Sequence, residues 1–450
     1  MNKKLNSKVI VYILNHNYGK FIHQSIKSVL NQTYKNFKIL IIDDGSTDNS
    51  KEILKKFEGH KKIKIIYQKK IGMVKSIIKS INITNSEYFV RLDADDWLHK
   101  DYLKKTIKII NSNKKIALVF PDYFEVNSTG KIISQIKRNK FDEKNTLLDF
   151  PAHGACTLFR RSLYNKTEGY SSKIEAQDGY DIWLKLIKNY QVKNINQTLF
   201  YYRQHNENLT KNISKILDSR YKILDDQLRN KNNRRTLAFI PILENDKKEF
   251  FCFQKFNKRK LIDITLGKAI RSKKIKKICI STNNQRILDY VKLKYKNIGI
   301  KIDLHLRIKK KDYILGHALK NYLNKNRDKN IKNVAILTVE YPLTTSKELD
   351  AGINTLNIFK SNAVESVINI KNIFYYKFKT GMKIWGNKTL KKERDNIFVR
   401  KGGITVLNKN QFLKEKKIIN AKKLAHLLIH PLSSLNFQEL NNYKKIIFTK

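Results

Sequence analysis

Tyr88-Phe89-Val90-Arg91-Leu92-Asp93-Ala94-Asp95-Asp96-Trp97 is a mostly apolar run that ends abruptly in carboxylates. Its length suits a buried strand, so the acids sit at a strand's carboxyl end, where open α/β sheets place their ligands. Asp93 and Asp95 are two residues apart, and on extended backbone that spacing turns both side chains to one side. Two carboxylates facing one way suit a hard cation. Mg²⁺ or Mn²⁺ is typically held by one or two carboxylates together with substrate phosphates, and then neutralises charge on a departing diphosphate. The block of acids is conspicuous in a chain with 92 Lys and Arg against 39 Asp and Glu.

Outward from this strand, short apolar runs alternate with helical periodicity, the pattern of a parallel sheet wrapped by helices. Val9 to Leu14, Ile39 to Ile42 and Ile63 to Tyr67 are predicted strands. Phe21, Ile22, Ile26, Val29 and Leu30 mark one helix, Ile53, Leu54 and Phe57 a second, and Met73 to Ile83 a third. Asp43-Asp44-Gly45-Ser46-Thr47-Asp48 follows the second strand. A carboxylate there accepts hydrogen bonds from a base or ribose while Gly45 turns the backbone tightly, or else Asp44 or Ser46 simply caps the helix starting near Asn49. Further on, Gln177-Asp178-Gly179-Tyr180-Asp181-Ile182-Trp183 opens a helix whose Ile182, Trp183, Leu186, Ile187 and Tyr190 form a buried face. Asp178 is either its N-cap or a general base at the helix entrance.

A length of 450 residues predicts two cores. The division is expected at a helical, charged linker, 212–235, between domains at 1–211 and 236–450. After it the alternation restarts, with strands at Leu237 to Ile240, Ile278 to Ser281 and Val334 to Thr338 and a helix at Leu261 to Ile270. No internal repeat is legible, because the acidic motifs of the first half have no counterpart in the second. Cys156, Cys252 and Cys279 share no metal-ligand spacing, which argues against a disulfide framework or zinc site and fits a reducing cytosol. The net charge of +53 is carried mainly by Lys spread along both halves, so solvated faces are expected rather than a nucleic-acid footprint. A basic surface is also suited to peripheral association with anionic membrane. No stretch approaches the 18 apolar residues of a spanning helix, and the run from Val9 to Leu14 is too short for a signal-peptide core.

Taken in order, these residues resemble the family 2 glycosyltransferases over roughly residues 7 to 210. Val9 to Tyr18 looks like that family's opening strand and nucleotide-facing turn, and Ser25 to Tyr34 like its first helix. Ile41 to Asp48 is similar to its uridine-binding acidic turn, Arg91 to Trp97 to its metal-binding DxD segment, and Gln177 to Asp181 to its catalytic-base motif. The resemblance implies a GT-A nucleotide-diphospho-sugar transferase fold and an inverting, metal-dependent transfer of a sugar from a nucleotide-sugar donor. The acceptor hydroxyl would belong to a glycan or lipid-linked glycan in surface polysaccharide or glycoconjugate biosynthesis. Asp178 would deprotonate the acceptor, with Asp181 the alternative base, since Gln177 stands where many relatives carry Glu. Asp95 with Asp93 would hold Mn²⁺ or Mg²⁺, and Asn15, Asp43 and Asp44 would hold the nucleoside. Asp93 also belongs to the donor site. His153-Gly154-Ala155-Cys156 looks like a wall of the sugar and acceptor pocket, and Tyr202-Arg203-Gln204-His205 like a closing segment from which Arg203 reaches the diphosphate.

Residues 236 to 445 resemble more faintly the cytidylyltransferases that activate acidic sugars, which implies a nucleotidyltransferase-like, Rossmann-type fold. Phe239-Ile240-Pro241, Ile278 to Asn284, Leu337 to Thr344 and Gly402 to Val406 follow the family's order. Two chemical features are missing. Ile242-Leu243-Glu244-Asn245-Asp246 replaces a Gly-rich phosphate loop with two acids, and Pro431 to Asn436 lacks the carboxylates that hold Mg²⁺. A degenerate domain is expected, with a bifunctional enzyme as one alternative and, for the whole chain, a non-catalytic membrane- or nucleic-acid-docking protein as another.

Overall fold

The computed structural model describes residues 7–138, 155–205, 212–228, 234–244, 250–370, 375–378, 381–384, 397–415, 418 and 423–448. They form two compact units, Met1–Arg220 and Tyr221–Lys450.

The first unit runs β1 (Val9–Asn15), α1 (Gly19–Leu30), β2 (Phe37–Asp44), α2 (Ser50–Lys55), β3 (Ile63–Gln68), α3 (Met73–Asn82), β4 (Tyr88–Asp93), β5 (Trp97–Leu98), α4 (Tyr102–Asn111), β6 (Ile116–Val126), β7 (Ile132–Ile136), β8 (Leu158–Arg160), α5 (Arg161–Tyr164), α6 (Asp178–Ile187) and β9 (Gln191–Arg203). The division between the units falls inside α7 (Ile213–Asp226). Its sheet has the order β3-β2-β1-β4-β8-β6-β9-β5, with β7 on β6. β1 is apolar along nearly its whole length and almost fully buried because it lies between two parallel partners under helices on both faces. On α1, Ile22, Ser25, Ile26 and Val29 are the buried side, the i, i+3, i+4, i+7 stripe that seats a helix on a sheet. The parallel register sets Asn15 beside Asp43 and Leu14 beside Asp93, so the carboxyl ends of β1, β2 and β4 meet at one edge.

The second unit runs β10 (Thr236–Ile242), β11 (Lys255–Phe256), β12 (Arg259–Lys260), α8 (Leu261–Arg271), β13 (Ile275–Thr282), α9 (Gln285–Lys294), β14 (Lys301–Leu306), α10 (Leu315–Lys325), β15 (Asn333–Leu337), α11 (Ser346–Phe359), β16 (Ala363–Ile370), β17 (Tyr375–Phe378), β18 (Gly381–Ile384), β19 (Ile397–Asn408), α12 (Lys409–Glu415), β20 (Leu424–Leu428) and α13 (Phe437–Phe448). The main sheet has the order β14-β13-β10-β15-β19-β16-β20, while β11 with β12 and β17 with β18 form separate ribbons. Leu237, Phe239, Val334 and Ile336 of the central strands share a core with Ala318, Leu319, Tyr322 and Leu323 of α10.

The two sheets have one topology. Leaving out the short β5 and β7, the first unit's strands numbered in chain order lie as third, second, first, fourth, sixth, fifth, seventh, and the second unit's main strands lie in the same order. In both, the sixth strand is antiparallel to its two neighbours and the seventh is parallel to the fifth. No repeat is legible in the sequence because topology follows from apolar strands and their crossovers, whereas the motifs lie at strand ends, which vary without changing the fold.

Candidate active site

The site lies where β1, β2 and β4 end. Asn15 Nδ2 donates to Asp43 Oδ1 at 2.7 Å and to Ser46 Oγ at 3.0 Å, and Ser46 Oγ lies 2.5 Å from Asp43 Oδ1. Asn17, at φ +63°, donates its backbone N–H to Ser46 Oγ and accepts from Thr47 N–H. Gly45 has φ +73°, and a Cβ there would stand 2.8 Å from the Lys70 backbone nitrogen, so the turn requires glycine. Asp44 accepts from Gln68 Nε2 and from the N–H groups of Ile71 and Gly72 at 2.7–2.8 Å. Neither Asp44 nor Ser46 caps α2; Asp48 serves the helix start by accepting from Ser50 N–H, while its other oxygen accepts from Gly19 N–H. Both Asp43 and Asp44 are buried, with the carboxylates committed to ordering the loops that follow β2 and β3.

The extended backbone that the Asp93 and Asp95 spacing presupposes stops at Asp93. β4 ends at Asp93, and the Asp96 N–H to Asp93 C=O bond closes a turn over the four residues, so the extended-backbone premise fails. Asp93 turns to Arg91, whose Nε lies 2.9 Å from its Oδ1. Asp95 turns to His205, with Oδ2 and Nε2 2.8 Å apart. Burial and the nearby Asp95 and Asp178 carboxylates push Asp93 up to about 6 despite Arg91. Burial raises Asp96 well above the carboxylate range, and its Oδ2 has no hydrogen-bond partner among the described residues.

Asp178 is the first residue of α6 rather than its N-cap; the cap position is Gln177, in the left-handed region at φ +62°. Asp178 Oδ2 accepts from Arg91 Nη1 at 2.6 Å, which joins the helix entrance to the end of β4. Asp181 points elsewhere, taking Lys185 Nζ at 2.8 Å and the Ser171 N–H at 2.9 Å. Tyr12 stands opposite Arg91 in the strand register, and its buried hydroxyl has no hydrogen-bond partner among the described residues. Burial raises the Tyr12 hydroxyl far above its ordinary range.

Arg203 is not a cation held out toward solvent. Its guanidinium donates to Asp95 C=O, Ser128 C=O and Gln24 Oε1, lies between the rings of Phe21 and Trp97, and is 2% exposed. Its backbone N–H donates to Asp96 Oδ1. Arg203 therefore fixes the backbone of the acidic turn and brings His205 to Asp95. Of the expected pocket wall, Ala155 and Cys156 are buried and Cys156 N–H donates to Arg91 C=O, while His153 and Gly154 lie outside the described residues.

Arg91, Tyr12 and His205 are the functional candidates that motif reading passes over. A charge inside a buried strand is the available signal for Arg91, and His205 ends the closing segment with no local pattern to mark it. Among the described residues no three His, Cys, Asp or Glu side chains converge to hold a metal alone. Asp95 and His205 nevertheless make an N and O pair, and the Asp93 side chain is 26% exposed. That donor set fits a cation shared with substrate phosphates rather than a closed cage.

At the corresponding edge of the second unit, Glu244 accepts the N–H groups of Phe251 and Cys252 at 3.1 and 2.9 Å. Pro431–Ser434 forms a 3₁₀ turn in which Ser433 and Ser434 donate to the carbonyls of Leu343 and Pro431. Asn245 and Asp246 lie outside the described residues, as do 229–233 of the expected linker.

Residues 10–167 match the family model for Glycosyl transferase family 2. Chondroitin synthase of Pasteurella multocida (strain Pm70) is 26% identical over 330 residues, covering 72% of this chain and 33% of that protein. The O-antigen biosynthesis glycosyltransferase WbnJ of Escherichia coli is 28% identical over 221 residues, covering 47% of this chain and 85% of that protein. Among solved structures, S. aureus TarS 1-349 in complex with UDP-GlcNAc aligns at 17% identity with a TM-score of 0.42, over 49% of this chain and 66% of that one. The family 2 match thus falls within the first unit, on the stretch that runs from β1 to just past α5. The chain spans about a third of the length of the chondroitin synthases it matches.

Proposed function

We propose that the first unit transfers a sugar from a nucleotide-sugar donor to an acceptor hydroxyl on a glycan or lipid-linked glycan, with inversion, in polysaccharide or glycoconjugate biosynthesis. The observation that carries this reading is the convergence of Asp93, Arg91 and Asp178 at the ends of β4 and α6, beside the β1 and β2 edge. Asp178 is the general base, because Oδ2 is anchored by Arg91 while Oδ1 has no protein donor among the described residues. It takes the acceptor hydroxyl proton as the oxygen attacks the anomeric carbon and the bond to the diphosphate breaks, one displacement that inverts the centre. Asp181, spent on Lys185 and the Ser171 N–H, is a support for α6. Asn15 with Asp43 and Asp44 shapes the nucleoside side of the cleft. Asp95 and His205, with Asp93 beside them, would hold Mn²⁺ or Mg²⁺, which when bound neutralises charge on the leaving diphosphate.

The second unit is read as a cytidylyltransferase-like domain without that chemistry. The support is Glu244, whose carboxylate takes two backbone N–H groups at the edge where a phosphate loop would offer them. A cytoplasmic setting accords with three buried, unpaired cysteines. The test is a panel of UDP-, GDP- and dTDP-sugars with Mn²⁺, scored by nucleoside diphosphate release from the purified full chain, with CTP plus an acidic sugar in parallel. No release with any donor defeats the reading of the first unit, and CMP-sugar formation that of the second.

A further inference from the structure

Large apolar side chains left exposed are scattered over the molecule except in one place. Among the described residues thirteen are exposed, and six of them, Leu293, Leu304, Leu306, Ile308, Tyr313 and Ile314, fall between positions 293 and 314 of the second unit. Leu293 is 84% exposed, Ile308 81% and Ile314 62%. β14 is the last strand of its sheet, so its outer edge is unpaired. Along it, Ile302, Leu304 and Leu306 share one face with α9, where a cleft of about 520 Å³ is lined by Val291, Lys292, Tyr295, Lys301 and Ile302. Asp303 and His305 take the other face and meet Tyr322 of α10.

The chain leaves this strand as Arg307-Ile308-Lys309-Lys310-Lys311-Asp312-Tyr313-Ile314. Asp312 is buried and bonded to Asn321, so it does not offset the three exposed lysines before it. Lys292, Lys296, Lys301, Lys309, Lys310 and Lys311 are all exposed, and none makes an ion pair with a described carboxylate. Lysines are common throughout this protein and by themselves would mean little. What singles out the stretch from the end of α9 to the start of α10 is that the exposed Ile, Leu and Tyr side chains concentrate in it.

We propose that this stretch of the second unit, from the end of α9 to the start of α10, docks on an anionic lipid bilayer. Isolated apolar side chains alternating with lysines match the headgroup boundary, where Ile and Leu enter the acyl region and Tyr and Lys stay at the phosphates. Lysines near such a surface gain from its negative potential. No described helix is long and apolar enough to span a membrane, so the contact is interfacial. A second copy paired along β14 fits less well, because it would join two lysine-flanked edges from molecules of net charge +53 each.

The test is flotation of the full chain with vesicles of phosphatidylcholine containing about 30% phosphatidylglycerol, against phosphatidylcholine alone, at low and high salt. The expected result is binding to the anionic vesicles at least about tenfold tighter than to the neutral ones, and weakened by salt. Ile308→Ser with Ile314→Ser should lower the affinity about tenfold without altering the melting temperature or the rate of nucleoside diphosphate release. Lys309→Gln with Lys310→Gln and Lys311→Gln should flatten the salt dependence. Equal binding to both vesicle types, undiminished binding by the Ser variant, or a dimer that this variant dissociates while vesicle binding persists would each overturn the assignment.

Discussion

Arg91 Nη1 lies 2.6 Å from Asp178 Oδ2, with the two side chains 5% and 7% exposed. The same guanidinium leans on Asp93, so one buried cation ties the acid that ends β4 to the acid that opens α6. Burying the Arg91 and Asp178 charges is tolerable only because each compensates the other, and the half-buried Asp93 makes two carboxylates against one guanidinium, a net negative spot at the mouth of the cleft.

Asp178→Asn is expected to reduce turnover by about 10² to 10⁴-fold while the donor dissociation constant moves only a few-fold, because a general base acts in the transition state. Asp181→Asn should do the opposite. It loosens a carboxylate bound to Lys185 and to the Ser171 N–H, so a lower melting temperature with turnover within a few-fold of wild type is expected. Steady-state kinetics and calorimetric donor binding on both variants decide it; equal losses of turnover would remove the distinction.

Arg91→Met leaves Asp93 and Asp178 facing each other without their shared cation. Removing one partner of a buried pair costs about 3–5 kcal/mol, so denaturant midpoints should fall substantially, and activity should fall even where the variant is folded. A midpoint within experimental error of wild type would show that the two carboxylates find water instead.

Asp95→Asn should abolish transfer without unfolding the first unit, since the replacement is isosteric and sits in a turn after β4. His205→Ala is milder. With Asp95 intact, it should raise the Mn²⁺ concentration needed for half-maximal activity, and excess Mn²⁺ should restore much of the rate. If Asp95→Asn keeps more than about a tenth of the activity, the metal role fails.

Strands and helices of the first half were legible because β1, β2, β3 and β4 are mostly apolar runs and α1 and α3 carry clean stripes. The side-chain partnerships were not. The spacing of Asp93 and Asp95 does not reveal the turn that begins at Asp93; Arg91 meets Asp178 across 87 residues, a distance no local pattern encodes. Arg203 looks like a free cation because nothing in Tyr202 to His205 reveals that Phe21, Trp97 and Gln24 enclose it. The shared topology of the two units was equally hidden, since it lies in the order of strands rather than in any residue.

Lys268 gives the second unit a pH dependence whose sign is fixed by burial. Its ammonium is 3% exposed and donates to Tyr341 C=O and Thr344 Oγ1 at 2.5 and 2.6 Å, with no carboxylate in ion-pair contact among the described residues. Burial pushes it from an ordinary 10.5 down to about 7, with Glu348 only partly offsetting the loss of water. Above 10.5 neither the folded nor the unfolded chain is charged at this residue, and its contribution is at its best. Between 10.5 and 7 the unfolded chain binds a proton that the folded chain does not, so stability falls as pH falls, and it levels off below 7 once both are protonated. Lys268→Met removes the titration and one donor to Tyr341 C=O and Thr344 Oγ1, which keep the hydrogen bond from the Thr344 hydroxyl to the Tyr341 carbonyl. It should therefore flatten the stability profile between pH 7 and 10 relative to wild type, with the wild-type chain gaining on the variant as pH rises. The general easing of charge repulsion in so basic a protein affects both chains alike, so the difference between their denaturant midpoints isolates Lys268. A difference that stays constant across that range would mean the ammonium keeps its ordinary affinity for the proton inside the fold.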